Sequence, residues 1–257
     1  MKKIYLACLC ALALTGCNNE ELNEFEPAQK QNTPQELLNI TYKGVTYRSV
    51  PTTYDEEGDF VFLDEEFSKI YTEALSKNLH WSIALNDAYN ITFYDDLETN
   101  LKAHGIEISE NSFTDISVLN TRADSETLAM LELYDDRDFK DRRYYPSILN
   151  RDNQSTELAD FKKAPGNFND KTSSLIVTNN VPYNTDETFN LHGSDLPCYE
   201  IDAVFIGYDD KGFSGRSITV VAHAADVVRH SSLLAFNDKL SSFRFFFAQR
   251  GQYGSSI

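Results

Sequence analysis

From residue 37 onward the spacing of apolar positions changes several times. In ITYKGVTYRSV, apolar and polar residues alternate on both sides of Gly44, the pattern of a short hairpin. DEEFSKIYTEALSK then puts Phe67, Ile70, Tyr71, Ala74 and Leu75 at helical spacing. That predicts an amphipathic helix beginning near Asp64. HWSIALNDAYNITFYDD reads as two strands around Asn86-Asp87, and LETNLKAHG as a short helix stopped by Gly105. Asp95-Asp96 stands where a helix cap is expected. Residues 109–126 are polar and weakly periodic, as a linker would be. From Thr127 short apolar strands recur between turns carrying Asp, Asn and Gly, which predicts an antiparallel sandwich. The expected organisation is a small α+β domain over 37–108, a linker over 109–126 and an all-β domain over 127–257.

The N-terminus adds an address. Lys2 and Lys3 precede an apolar run from Ile4 to Leu14, too short to span a bilayer but suited to export. Leu14-Thr15-Gly16-Cys17 resembles a bacterial lipobox. The resemblance implies removal of residues 1–16 and a membrane anchor of lipid on Cys17. Glu20 and Glu21 resemble the surface-export signal of Bacteroidetes lipoproteins. Together they imply lipid anchoring at the outer membrane, with the cell surface as the further expectation. Residues 17–36, rich in Asn, Gln, Glu and Pro, read as a flexible tether. Of the four cysteines, that resemblance implies that Cys8 and Cys10 leave with the signal and Cys17 carries lipid, which would leave Cys198 without a partner for a disulfide. The net charge of −17 disfavours nucleic acid and favours multivalent cations; loss of Lys2 and Lys3 makes it −19.

Within 127–257 the chain repeats itself. FNDKTSSL (168–175) returns as FNDKLSSF (236–243). Upstream, LELYDDRDFKDRRYY matches VFIGYDDKGFSGRSI, aligning Tyr134 with Tyr208, Asp135-Asp136 with Asp209-Asp210, Phe139 with Phe213 and Asp141 with Gly215. A hard cation such as Ca²⁺ binds several oxygens at about 2.3–2.6 Å. Asp170 and Asp238 offer charge, Ser173 and Ser241 offer hydroxyls, and Lys171 and Lys239 offer carbonyls. The same residues also suit an Asx-turn followed by a Ser/Thr turn, which needs no metal.

Tyr-x-x-x-x-Phe-x-Gly followed by Asn-Asp-x-x-Ser-Ser resembles the βγ-crystallin Greek key, two of which make one domain. The resemblance covers about Leu128 to Arg250 and implies a double Greek-key sandwich that binds Ca²⁺. It further implies a first site of Asp170, Lys171 and Ser173 with the carbonyl of Lys211. The second would be Asp238, Lys239 and Ser241 with the carbonyl of Arg137. Asn169 and Asn237 either bind directly or hold the loop. Two departures stand out: Asp141 replaces the left-handed glycine, and residues 180–199, with His192, exceed a tight link.

Catalytic patterns are missing from the sequence. His80, His104, His192, His223 and His230 show no zinc-ligand spacing, and there is no Gly-x-Ser-x-Gly elbow or phosphate loop. His223 reads as a strand-end histidine. Tyr144, Tyr145, Phe243, Phe245, Phe246 and Phe247 suit either a core or a sugar platform, although four Phe in five residues cannot share one sheet face. The expected function is calcium binding without enzymatic activity. The alternative is a surface adhesion or glycan-binding module stiffened by Ca²⁺, with a glycan or protein ligand. Cys17→Ala is expected to release the protein from membranes; equal membrane retention of mutant and wild type on fractionation would remove the anchor.

Overall fold

The computed structural model describes residues 36–106, 114–115, 126–141, 143–164, 166–184 and 186–251. Cys17, the export signal, the tether up to Gln35 and most of the 109–126 linker lie outside the described residues.

The predicted hairpin is β1 (Glu36–Tyr42) and β2 (Val45–Tyr54), paired antiparallel. Its turn needs two left-handed residues, Lys43 (φ 50°) and Gly44 (φ 77°). β3 (Phe60–Phe62) adds to β2. Asp64 caps α1 (Glu65–Ile70), its Oδ1 accepting from Phe67 N at 2.8 Å. The helix continues as a π-helical turn over Tyr71–Leu75. Phe67 and Leu75 are buried, but Ala74 is exposed, because the wider turn departs from the regular period. β4 (Ser82–Leu85) and β5 (Asn90–Tyr94) pair antiparallel. α2 (Leu97–Ala103) is capped by Asp96, whose Oδ1 accepts from Thr99 N at 2.7 Å, and Gly105 follows at φ 63°. β6 is the pair Thr114–Asp115.

Beyond residue 126 come β7 (Ala129–Tyr134), β8 (Arg143–Leu149), β9 (Ser155–Leu158) and β10 (Ser174–Asn179). A small hairpin, β11 (Thr188–Leu191) and β12 (Ser194–Pro197), occupies the long connection. Then follow β13 (Ile201–Asp210), β14 (Ser214–Ala222), β15 (Asp226–His230) and β16 (Ser242–Gln249). One sheet runs β15-β10-β7-β8; the other contains β14-β13-β16-β9. In each set of four, strands four, one and two lie side by side as in a Greek key. The third strand crosses to the other set's sheet: β9 pairs with β16, and β15 with β10. Neither unit is complete alone.

The larger sheet does not stop at β14. β4 pairs parallel with β14, and β5, β1, β2 and β3 extend it to ten strands, with β6 at the far end. Residues 36–106 therefore share one sheet and one hydrophobic core with the sandwich, and the described residues belong to one compact unit. Trp81 sits at the seam, 5.3 Å from Phe93 and 5.6 Å from Phe236 between ring centroids. The physical reason is the edge of β14, whose backbone groups need a partner strand.

The phenylalanine run is resolved by covering both sheet faces. Phe243, Phe245 and Phe247 enter the main core, while Phe246 packs with Leu101 of α2, Ile106, Val204 and Ile206 in a second cluster. All four are buried, so they form no sugar platform. Phe189 of the β11–β12 hairpin packs on Phe247 at 5.1 Å.

His230 on β15 is 1 % exposed, and its Nε2 has no hydrogen-bond partner. Burial pushes its pKa down to about 4, against a small opposing pull from Asp87. The unfolded chain therefore binds the proton more readily, so this contribution is complete above about pH 6.5 and is lost as pH falls toward 4. Lowering pH from 7.5 to 5 is expected to cost about 2 kcal/mol through this residue. In urea unfolding, His230→Leu should flatten that dependence; an unchanged slope would exclude His230 as its source.

Candidate cation site between the two Greek keys

The aromatic hairpin and the hexad of each repeat are one physical unit. Three left-handed residues fold each hairpin: Asp138 (φ 59°), Phe139 (59°) and Asp141 (61°), against Gly212 (69°), Phe213 (61°) and Gly215 (80°). Asp141 thus takes the glycine's conformation, as the sequence suggested. The rings close edge to face, Tyr134 on Phe139 at 5.6 Å and Tyr208 on Phe213 at 5.8 Å. The last serine of each hexad staples the hairpin. Ser174 Oγ donates to Asp136 O (2.6 Å) and accepts from Phe139 N (3.1 Å). Ser242 Oγ donates to Asp210 O (2.7 Å) and accepts from Phe213 N (3.1 Å).

The two hexads lie against each other. Asp170 N donates to Leu240 O at 3.1 Å, and Asp238 N to Thr172 O at 3.0 Å. Both aspartates are left-handed, at φ 53° and 56°. Ser241 Oγ donates to Asp170 Oδ1 (3.2 Å), and Ser173 Oγ to Asp238 Oδ1 (2.7 Å). The hydrogen bonds thus join each aspartate to the other hexad's serine. The cause is the crossed backbone pairing of the loops, which sequence spacing does not reveal.

The hairpin tips reach across as well. Gly212 N donates to Ala159 O (2.8 Å), and Phe161 N to Ser241 O (2.9 Å). In mirror fashion Asp138 N donates to Ser231 O (2.9 Å), and Leu233 N to Ser173 O (3.0 Å). Lys211 and Arg137 therefore stand beside the connection that carries the other unit's hexad. The Lys211 carbonyl accepts from Ser214 Oγ at 2.9 Å, and its ammonium meets Asp160 at 3.2 Å. The Arg137 guanidinium lies 5.6 Å from the centre of the Tyr54 ring.

Asn237 and Asn169 differ. Asn237 Oδ1 accepts from Leu233 N at 2.8 Å, and its Nδ2 donates to Ser232 Oγ at 3.2 Å, so it holds its loop. Asn169 Nδ2 donates to Asp170 Oδ2, but Asn169 Oδ1 is buried without a partner, as is Thr172 Oγ1. Unpaired buried oxygens in a loop with a carboxylate fit a hard cation. Among the described residues no group of three or more His, Cys, Asp or Glu is arranged to hold a metal. Any cation here would rest on hydroxyls, amides and carbonyls with one carboxylate from each hexad, a donor set for Ca²⁺ and not for a transition metal.

The third hexad positions also differ. Lys171 is 3.9 Å from Asp135, with 41 % of its side chain exposed. Lys239, only 17 % exposed, meets Asp59 Oδ1 at 2.6 Å. Asp59 also accepts from Arg216 Nη1 at 2.8 Å, while Arg216 Nε donates to Asp209 at 2.5 Å. Burial alone would raise the Asp59 carboxyl, but hydrogen bonds from Lys239 and Arg216 hold it below the ordinary range. Burial pushes Asp209 up, against Arg216. Arg216 covers Trp81 at 5.3 Å from the ring centre. A cavity of about 440 Å³ opens here, lined in part by Asp55, Tyr71, Trp81 and Arg216. Sequence reasoning missed Asp59 and Arg216, which lie 157 residues apart and outside any motif. His223 directly follows β14, its Nδ1 2.9 Å from Asp202, which also accepts from Arg250 Nη2 at 3.0 Å.

No family model matches the chain, and no curated protein matches it. Solved structures with similar features include a βγ-crystallin from Ciona intestinalis, at 18 % identity over 47 % of this chain and 99 % of that one, TM-score 0.25. Others are the N-terminal domain of protein S (21 % identity, 47 % and 98 % covered, TM-score 0.26) and a βγ-crystallin from an archaeon (18 %, 45 % and 95 %, TM-score 0.24). The double Greek key stands on its own strand order and repeated hydrogen bonds.

A side chain at Gly215 would overlap the Asp209 and Asp210 carboxylates. Gly215→Ala is expected to cost about 1–3 kcal/mol, whereas Asp141→Gly should be neutral or stabilising. Equal losses in urea denaturation would overturn this asymmetry.

Proposed function

We propose that residues 127–250 form a βγ-crystallin-like domain that binds Ca²⁺ and uses it for stability, within an exported protein anchored at the outer membrane through lipid on Cys17. The observation that carries this reading is the crossed pair of hexads, Asp170 with Ser241 and Asp238 with Ser173, flanked by the orphan oxygens of Asn169 and Thr172. Bound Ca²⁺ would supply positive charge beside the hexad carboxylates, one from each unit. The chain's own contribution is to hold the oxygens: Ser174 and Ser242 fix the hairpins, and Asn237 fixes its loop. The protein is then a binding protein and not an enzyme.

Extracellular Ca²⁺ modules bind at about 10⁻⁴–10⁻³ M. At tenfold excess over the dissociation constant, one site contributes about 1.4 kcal/mol and two about 2.8 kcal/mol. That is a substantial part of the roughly 5–15 kcal/mol of a domain, and Cys198 is the one free cysteine among the described residues. A second reading, glycan binding with structural Ca²⁺, is favoured by Tyr183, 66 % exposed, lying 6.1 Å from the Tyr199 ring. Aromatic faces of this kind suit sugar rings.

Melting with Ca²⁺ and with chelator tests the calcium reading. Wild type should melt several degrees higher with Ca²⁺. Ser173→Ala and Ser241→Ala, each striking one crossed pair at a buried position, should each lose one site's share of that rise, measured against the same mutant's melting temperature in chelator. No rise in wild type would remove the structural role.

A further inference from the structure

The two hexads are near copies in sequence but not in setting. Lys239 of the second is gripped by Asp59 at 2.6 Å, and Asp59 is itself held by Arg216 at 2.8 Å. Asp59 comes from the turn before β3, 180 residues away, and Gly58 beside it lies under the Lys239 side chain. Lys171 of the first hexad meets, among the described residues, Asp135 at 3.9 Å and remains 41 % exposed. We propose that Asp59 is a positioning residue for the second hexad, making the Asp238–Ser173 pair the tighter of two unequal Ca²⁺ sites. This rests on the calcium reading above.

Two physical effects act in the same direction. Lys239 carries positive charge at the third hexad position, one residue from Asp238, where it opposes an incoming cation. Asp59 neutralises that charge at close range on a largely buried lysine, whereas Lys171 is farther from Asp135 and itself more exposed to screening by water. The clamp also immobilises the Lys239 side chain and with it the loop, so less ordering remains when a cation binds. Asp59 touches Lys239 and not the proposed oxygens, so it acts through position and charge. The β1–β5 segment thereby acquires a role in the sandwich's chemistry, through a seam that also contains Trp81. As the sole tryptophan, stacked under Arg216, Trp81 reports on this cluster.

The test is calorimetric Ca²⁺ titration of the lipid-free mature chain, with Trp81 fluorescence read in parallel. Wild type should show two unequal sites. Asp170→Asn should remove the weaker and leave the tighter. Asp59→Asn should weaken the tighter site about fivefold, a surface ion pair's worth, while leaving the weaker site unchanged and suppressing the calcium-dependent change in Trp81 emission. Asp59→Glu should restore part of the affinity, and Asp135→Asn should not touch the tighter site. Melting in chelator checks that Asp59→Asn still folds; if it does not, the same comparison is made with Lys239→Met, which removes the repulsion and should leave the second site no weaker than wild type. Two equal sites, or equal weakening of both by Asp59→Asn, would overturn the inference with the calcium reading intact. No binding by wild type at millimolar Ca²⁺ would remove both.

Discussion

The exchange of third strands is the constraint on which the structure depends. β9 completes the sheet of the second unit and β15 that of the first, so each unit's hydrophobic face exists only in the presence of the other. The hexads follow from this. Each sits on the connection between a third strand in one sheet and a fourth strand in the other, and the two connections must pass side by side. Their backbones then cross-pair, Asp170 to Leu240 and Asp238 to Thr172, and the aspartates meet the opposite serines. Asp170, Asp238, Ser173 and Ser241 take their partners from that crossing.

A sandwich of this kind leaves β14 as a sheet edge, and here the edge is occupied. β4 pairs with it in parallel, and the remaining N-terminal strands continue the sheet. α2 covers the face that would otherwise leave Val204, Ile206 and Phe246 in water. The buried Asn100 amide of that helix donates to Ser82 Oγ of β4 (2.7 Å) and Thr219 Oγ1 of β14 (3.2 Å), so a polar bond network also crosses the junction. Burial of both sheet faces explains a strand as apolar as SFRFFFAQ, which would aggregate on an open surface.

The N-terminal strands also break the symmetry of the repeat. In the first unit the hexad lysine, Lys171, is 41 % exposed and stands 3.9 Å from Asp135. In the second, Asp59, Arg216, Asp209 and Lys239 form an alternating chain of charges over Trp81. Internal duplication gives two equivalent loops; docking of a further segment on one side makes them inequivalent without any change in the motif itself.

Much of the local structure was legible along the chain. The Lys43-Gly44 turn, the Asp64 and Asp96 caps, the Gly105 stop and the paired aromatic hairpins depend on residues within a few positions of each other, and their chemistry acts at that range. The left-handed Asp141 was legible for the same reason, since aspartate tolerates what its aligned partner Gly215 adopts freely. Which serine meets which aspartate, which face hides Phe246, and that residues 36–106 join the sandwich were decided by the tertiary structure. Those contacts join residues 65 to 180 positions apart, and only strand exchange and an edge in need of a partner bring them together.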